Sequence, residues 1–248
     1  MKFSILTVVY NRAATIDDAL LSLGSQSHVD FEHIVQDGGS TDGTLDRFSA
    51  APDHRRKLAS GRDSGIYDAL NRATARATGD VVGVLHSDDF YAHSDVLAHV
   101  AQCFEASGAD AVYGDLDYIS AADPTKVVRR WKSGDYSMKR LRRGWMPPHP
   151  ALFLRRSVVE KWGAYDTSYQ IAADYDSILR YFGQGKISVR YLPETLVKMR
   201  VGGESNRSLE RILLKSREDL RALRQNGVGG VPALAWKNLS KLGQFVRK

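Results

Sequence analysis

Gly79-Asp-Val-Val-Gly-Val-Leu-His-Ser-Asp-Asp89 carries a short apolar run, Val81 to Leu85, that reads as a buried strand and stops at two adjacent carboxylates, Asp88 and Asp89. In an open α/β sheet, ligands gather outside the carboxyl ends of the strands. Two acids at such a place are costly without a positive partner. A hard divalent cation that also carries phosphates fits the requirement, because Mg²⁺-type ions take one or two carboxylates together with substrate oxygens. The stretch therefore points to a phosphorylated ligand handled through a metal.

Working outward, the run Phe3 to Tyr10 is rich in β-branched residues and reads as a buried strand, followed by a turn over Asn11–Thr15. Ala19 to Leu23 fits an amphipathic helix, and His33–Gln36 a second strand ended by the turn cluster Asp37–Gly43. Helical spacing returns at Leu45–Phe48, at Ile66–Ala77 with Gly79 as its C-terminal cap, and at Val96–Phe104; Ala111–Tyr113 is a further strand. Alternating strands and helices imply a mostly parallel sheet with helices on both faces. Ser120–Pro150 is irregular and basic. Ser157–Trp162 and Asp174–Phe182 are helical pieces, and Val189–Leu192 and Leu196–Met199 are short strands. Beyond Gly202-Gly203 a helical pattern runs to about Gln225, breaks at Gly227–Gly230 and resumes over Leu234–Val246.

A chain of 248 residues with 43% hydrophobic and 26% charged residues has an ordinary globular balance. The lone Cys103 excludes an internal disulfide and fits a reducing compartment. No signal-peptide layout opens the chain, and no apolar run reaches the roughly 20 residues that span a bilayer. These features lead us to expect a cytoplasmic protein. The net charge of +6 is unevenly spread. Lys126–Arg143 and Arg207–Lys248 each carry +7, which leaves −8 on the remainder. The acidic part holds the candidate site. The basic tail suits peripheral contact with an anionic membrane surface. No nucleic-acid recognition motif accompanies either basic segment, so nucleic acid is not expected as a partner.

The acidic positions fall into a recognisable order. Thr7-Val-Val-Tyr-Asn11, Gln36-Asp-Gly-Gly-Ser-Thr-Asp-Gly-Thr44, Arg62-Asp-Ser-Gly-Ile-Tyr-Asp-Ala-Leu-Asn71, Leu85-His-Ser-Asp-Asp89 and Ala172-Ala-Asp-Tyr-Asp176 follow one another along the chain. In this order they resemble the motifs of the family 2 inverting glycosyltransferases, of the bacterial cell-surface and exopolysaccharide type. The resemblance covers residues 3 to about 205. It implies a GT-A fold, with a Rossmann-like central sheet over 1–205. Residues 1–118 would be the nucleotide-sugar half and 119–205 the acceptor half, with a basic helical extension at 206–248.

What the resemblance implies about the site can be stated residue by residue. Thr7, Val9, Tyr10, Asn11, Asp37, Asp63, Gly65, Tyr67, Asn71, Ser87 and Asp88 would line the nucleotide-sugar site, with Asp37 and Asp63 accepting hydrogen bonds from base and ribose. Asp88 would hold Mg or Mn, with Asp89 and His149 as further ligand candidates. The metal would neutralise the leaving diphosphate of a UDP- or GDP-type donor. Asp174 would be the general base that takes the proton from an acceptor hydroxyl on a glycan or lipid-linked molecule. His149, fixed between prolines, and Arg200 would face the acceptor or the diphosphate. Arg200 to Asn206 reads as a lid hinged at Gly202 and Gly203, with Arg207 also a candidate for phosphate.

This chain departs from the family pattern at His86, where an aspartate is usual, and at Ala173, where a glutamate is usual. Several positions have a second reading. Asp37 is also a turn former. Asp89 also suits a cap on the following helix, as Asp174 does on its own. His86 is equally at home in a site or as a structural histidine. Two rival functions share this sheet type. One is a nucleotidyltransferase that makes nucleotide sugars, which would want a glycine-rich loop where Asn11–Thr15 stands. The other is a non-catalytic nucleotide-sugar-binding module.

Overall fold

The structure, a computed structural model, describes residues 1–202 and 209–246. At its centre lies strand β1 (Phe3–Val9), every residue of it buried. It pairs in parallel with β2 (Phe31–Asp37) on one side and β4 (Val81–Val84) on the other, so Phe3 faces both Phe31 and Val81. A parallel strand covered on both faces has no polar side, which is why its sequence reads as an unbroken apolar run. The connections are helices α1 (Ile16–Gly24), α2 (Thr44–Ala50) and α3 (Ile66–Thr74), the crossovers that parallel pairing requires. Strand β3 (Arg56–Ser60) extends the parallel sheet beyond β2.

The second half of the chain completes the same sheet. Strands β5 (Phe90–Tyr91), β6 (Ala111–Ile119), β7 (Val127–Trp131), β8 (Leu152–Arg155) and β9 (Val189–Arg200) give the order β3-β2-β1-β4-β8-β6-β9-β5, with β7 on β6. Strand β8 is antiparallel to both its neighbours, β4 and β6, which therefore run in one direction. The sheet is thus mostly parallel, with β5, β7 and β8 reversed. Helices cover both faces. On one, α1 and α4 (Val96–Ser107) bury Ile16, Leu23, Val100 and Phe104 against the sheet. On the other, α3 and α7 (Ala173–Leu179) bury Leu70, Ala73, Tyr175 and Ile178. Helices α5 (Met138–Leu141), α6 (Arg156–Trp162), α8 (Leu209–Gln225) and α9 (Val231–Val246) complete the described chain.

Two glycines in the opening stretch have packing reasons. A Cβ on Gly79 would lie 2.8 Å from the Lys2 carbonyl and from Ser4 N, so only glycine lets the chain enter β4 against β1. Helix α3 ends at Thr74, so Gly79 is not its cap as expected. A Cβ on Gly83 would lie 2.7 Å from the Phe153 ring, and these residues face each other in the β4–β8 register. The two short strands expected over Val189–Met199 are one, β9, which a bulge near Pro193 bends without breaking. Of the expected lid, Gly203–Arg207 lies outside the described residues.

Glu32 ties β2 to the entry of β4. Its carboxylate is buried and accepts hydrogen bonds from Ser4 Oγ, Thr78 N, Thr78 Oγ1 and Lys57 Nζ. Burial pushes its pKa up, but the bonds from Lys57, Ser4 and Thr78 prevail and hold it at about 2. A depressed carboxyl pKa stabilises the fold above the unfolded value of 4.5, and that stabilisation is lost as pH falls through the folded value. Glu32→Gln is therefore expected to cost about 2 kcal/mol in urea unfolding at pH 7. The deficit against wild type should shrink at pH 3, and an equal deficit at both pH values would refute this account.

Candidate active site

The carboxyl ends of β1, β2, β3, β4 and β9 converge on one edge of the sheet, and the motif residues lie there. The loop after β2 is organised by Asp37. Its buried carboxylate accepts from Gly39 N at 2.9 Å, Ser40 N at 3.1 Å, Ser40 Oγ at 2.5 Å and Ser60 Oγ at 2.5 Å. Burial alone would raise its pKa, but the donors from Ser40, Ser60 and Gly39 bring it below the ordinary value. The turn-forming reading of Asp37 describes this geometry. Asn11 adopts φ 51°, donates its N–H to Ser40 Oγ and accepts from Thr41 N, which joins the loops after β1 and β2. Thr7 and Val9 have buried side chains, and Thr7 Oγ1 donates to the Leu85 carbonyl at 2.8 Å.

Tyr10 is 60% exposed. It flanks Gly38, where a Cβ would lie 3.4 Å from the Tyr10 ring and 2.8 Å from Asp63 Oδ2. Asp63 uses its other oxygen to accept from Gly65 N at the start of α3. Tyr10, Gly38 and Asp63 thus form a notch floored by backbone. Asn71 faces away from it. Its side chain exchanges two hydrogen bonds, of 2.8 and 2.9 Å, with the backbone of Tyr165.

The loop after β4 is clamped by Arg200 at the end of β9. Its guanidinium donates to the Asp88 carbonyl at 2.6 Å and pairs with Asp18 of α1, while its backbone N–H donates to Asp89 Oδ1 at 3.3 Å. Arg200 is 9% exposed, so it anchors the loop and does not project into the site. Asp89 is fully interior. Burial, reinforced by Asp88, pushes its carboxyl well above the ordinary range. At 1% exposure and bonded to the Arg200 backbone N–H, it is turned into the interior. It does not cap α4, which begins at Val96 behind Asp95. Ser87 is buried, and its carbonyl accepts from Thr15 Oγ1. Asp88 is half-buried, and its carboxylate receives no hydrogen bond from the described residues.

A chain of aromatic and imidazole rings links this loop to Asp174. The His86 and His149 rings lie 5.9 Å apart. His149 Nε2 is hydrogen-bonded to Tyr165 OH at 2.7 Å, and the Tyr165 ring stacks on Tyr67 at 5.7 Å. Tyr67 OH donates to the Ile171 carbonyl at 2.6 Å and lies 3.4 Å from Asp174 Oδ1. Burial lowers the His149 pKa to about 4 and also lowers that of His86, so both rings are neutral near pH 7. The negative charges of Asp88 and Asp174 oppose that shift at His86 without overcoming burial. Asp88, Asp89 and His149 do not converge on a single point among the described residues.

Asp174 sits in the first turn of α7, behind Ala172 at the N-cap, so it is not itself the cap. A carboxylate there is favoured by the helix dipole. The start of this helix is held by Glu218 of α8, whose carboxylate accepts from Gln170 N, Ile171 N and Ala172 N at 2.8–2.9 Å. Asn226 Nδ2 holds Asp176 at 2.8 Å. Tyr165, Glu218 and Asp18 escape sequence reasoning. Nothing local distinguishes Tyr165, and Glu218 is submerged in a basic helix.

The model of the family described as "Glycosyl transferase family 2" matches residues 4–163. The PGL/p-HBAD biosynthesis glycosyltransferase of Mycobacterium tuberculosis is 35% identical over 86% of this chain and 82% of its own. A glycosyltransferase of Nostoc sp., itself uncharacterized, is 32% identical over 83% of this chain and 66% of its own. Among solved structures, S. aureus TarS superposes with a TM-score of 0.69 at 18% identity. That match covers 90% of this chain and only 40% of TarS. The mannosyltransferase PcManGT from Pyrobaculum calidifontis, solved with GDP-Man and Mn²⁺, gives a TM-score of 0.68 at 17% identity over 98% of this chain and 70% of its own. Likeness at these identities speaks for the shared GT-A fold. Together with the family match and the identities of the curated relatives, it means that the chain belongs to glycosyl transferase family 2.

Proposed function

We propose that this glycosyltransferase moves a sugar from a UDP- or GDP-type donor to a hydroxyl of a glycan or lipid-linked acceptor, with inversion, in bacterial polysaccharide or glycolipid biosynthesis. The observation that carries this reading is the run of contacts from His86, two residues before Asp88, through His149, Tyr165 and Tyr67 to Asp174. The notch of Tyr10, Gly38 and Asp63 suits a flat nucleobase and its ribose. Solved neighbours are complexes with UDP-GlcNAc and with GDP-Man and Mn²⁺, which supports a nucleotide sugar as donor.

The residues present fit a divalent cation through Asp88, whose carboxylate is uncommitted at the strand end. When bound, Mg or Mn would supply positive charge to the departing diphosphate. With one carboxylate at hand, donor phosphates and water would complete its shell. Neutral His149 and His86 leave the diphosphate unpaired by imidazolium and present lone pairs or N–H groups for hydrogen bonding. Asp174 would take the acceptor proton as the acceptor oxygen bonds to the anomeric carbon and the bond to the diphosphate breaks. Burial raises the pKa values of Tyr67 and Tyr165, so both phenols stay protonated. Tyr67 spends its single proton on the Ile171 carbonyl and so fixes the backbone just before Asp174.

A membrane surface is the favoured setting for the acceptor. Helix α9 packs its Ala233 and Lys237 side toward Gly144 and exposes Val231, Trp236 and Leu239, at 57%, 54% and 61%. Arg143 lies 5.6 Å from the Trp236 ring centroid and places positive charge beside this apolar face. An apolar face rimmed by cations suits an anionic lipid interface.

Asp174→Asn is expected to keep donor affinity, by calorimetry, and to lose transfer by about 10²–10⁴-fold. Near-normal transfer would remove Asp174 as the base. Asp88→Ala should abolish the Mn²⁺-dependent part of donor binding, and an unchanged titration would exclude it as the ligand. Replacing Trp236 and Leu239 together by serine should release the protein from vesicles of anionic lipid in co-sedimentation. Undiminished binding would move the contact elsewhere.

A further inference from the structure

A second cluster lies away from the donor edge. His93, in the loop leaving β5, His99 on α4 and Glu194 on β9 each offer a ligating atom, all within 4.8 Å of one another. His99 Nδ1 is 2.9 Å from Glu194 Oε2, His93 Nε2 is 2.5 Å from Oε1, and the two rings are 5.5 Å apart. All are half-buried. Glu194 and Arg200 are separated along β9 by roughly 20 Å of strand, at about 3.3 Å per residue. This cluster is therefore distinct from the Asp88 loop.

The surroundings hold these side chains in place. Gln26 Nε2 donates to the His93 carbonyl at 2.8 Å, and its Oε1 accepts from Leu97 N at 3.0 Å. Ser27 N donates to the Ser94 carbonyl at 2.8 Å. On the other side, the β6–β9 register steps from Tyr113↔Tyr191 to Asp115↔Thr195, so β9 carries extra residues around Pro193. Such a bulge re-aims side chains, and here it brings Glu194 against α4. Gly114 allows it, because a Cβ there would meet the Glu194 carbonyl at 2.8 Å.

The contact of His93 with Glu194 is close but not aligned as a hydrogen bond, and His93 Nε2 is buried with no hydrogen-bond partner. Two ligands of one zinc ion stand about 3.3 Å apart at Zn–N and Zn–O lengths of about 2.0–2.1 Å, so an ion would enter with the His93 ring and the Glu194 carboxylate drawn slightly apart. We propose that His93, His99 and Glu194 form a site for a divalent ion of the zinc class, with water completing the shell. Two imidazoles and a carboxylate are a recurrent three-ligand zinc set. Mg²⁺ prefers all-oxygen surroundings, so the site selects a different ion from the one Asp88 suits. Ligation through Nε2 puts the His93 proton on Nδ1, at the expense of the 3.2 Å bond from Asp95 N. Bound metal would cross-link α4 to the bulge of β9.

The test is titration of metal-free, full-length protein with Zn²⁺, and separately with Co²⁺, in the absence of nucleotide. Wild type and Asp88→Ala should each bind a single zinc with equal affinity and show the visible absorption of low-coordinate cobalt. Glu194→Gln and His99→Gln should weaken zinc binding by at least the ~10–100-fold that loss of a mere supporting group produces. Zinc should raise the melting temperature of wild type and not of Glu194→Gln, a variant that keeps side-chain shape. Absence of zinc binding, or binding indifferent to Glu194→Gln, would overturn the proposal.

Discussion

The geometry of the site depends on where Arg200 is buried. One guanidinium gathers the Asp88 carbonyl, the Asp18 carboxylate of α1 and, through its own backbone, the Asp89 carboxyl. It thereby joins the last strand of the sheet to the loop after β4 and to the first helix. A buried cation with one partner removed is strongly unfavourable, so the three contacts hold one another in place. The Asp88 carboxylate is left free because its carbonyl, not its side chain, takes the bond. Asp89 is interior and Asp88 half-buried at the strand end. The adjacent acids therefore differ in environment more than in sequence.

On the opposite wall, the part that resembles an appendage turns out to support the centre. Glu218 fills the open amides at the start of α7, and Asn226 holds Asp176 one turn later. The Ile171 and Ala172 amides are buried, and without a partner each would carry a desolvation penalty of about 1–3 kcal/mol. Helix α8 is thus continuous in function with the helix that carries Asp174. Lys237 of α9 reaches the same region, 3.0 Å from Asp219 and 3.1 Å from the Tyr175 ring centroid.

How much of this was legible follows from what each residue answers to. Strand β1 was readable because burial on both faces leaves a continuous apolar signature. Strand β8 was not, since Leu-Phe-Leu-Arg is short and its antiparallel place between β4 and β6 is settled by distant partners. Edge strand β3 has no buried residue, only Arg56 and Ala59 half-buried among exposed ones, and looks like loop. Asp63, Asp88 and Asp174 were singled out through motif order. Asp37 was singled out too, but three of its four donors belong to its own loop and the fourth, Ser60, ends β3. Arg200 was read as a ligand-facing cation because sequence shows charge and not depth. Tyr165 and Glu218 act through contacts 16 or more residues away, which no local pattern records.

The fit of Phe153 over Gly83 also bears on how the molecule is made. Strand β4 emerges from the ribosome about seventy residues before its partner β8. Until then one edge of the parallel sheet has bare amides and carbonyls, the surface on which chains pair with strangers. The missing partner is central, so the sheet cannot close by local contacts alone, and long-range pairing of this kind is slow. Nascent chains cut short before Leu152 should be the species that most need chaperones.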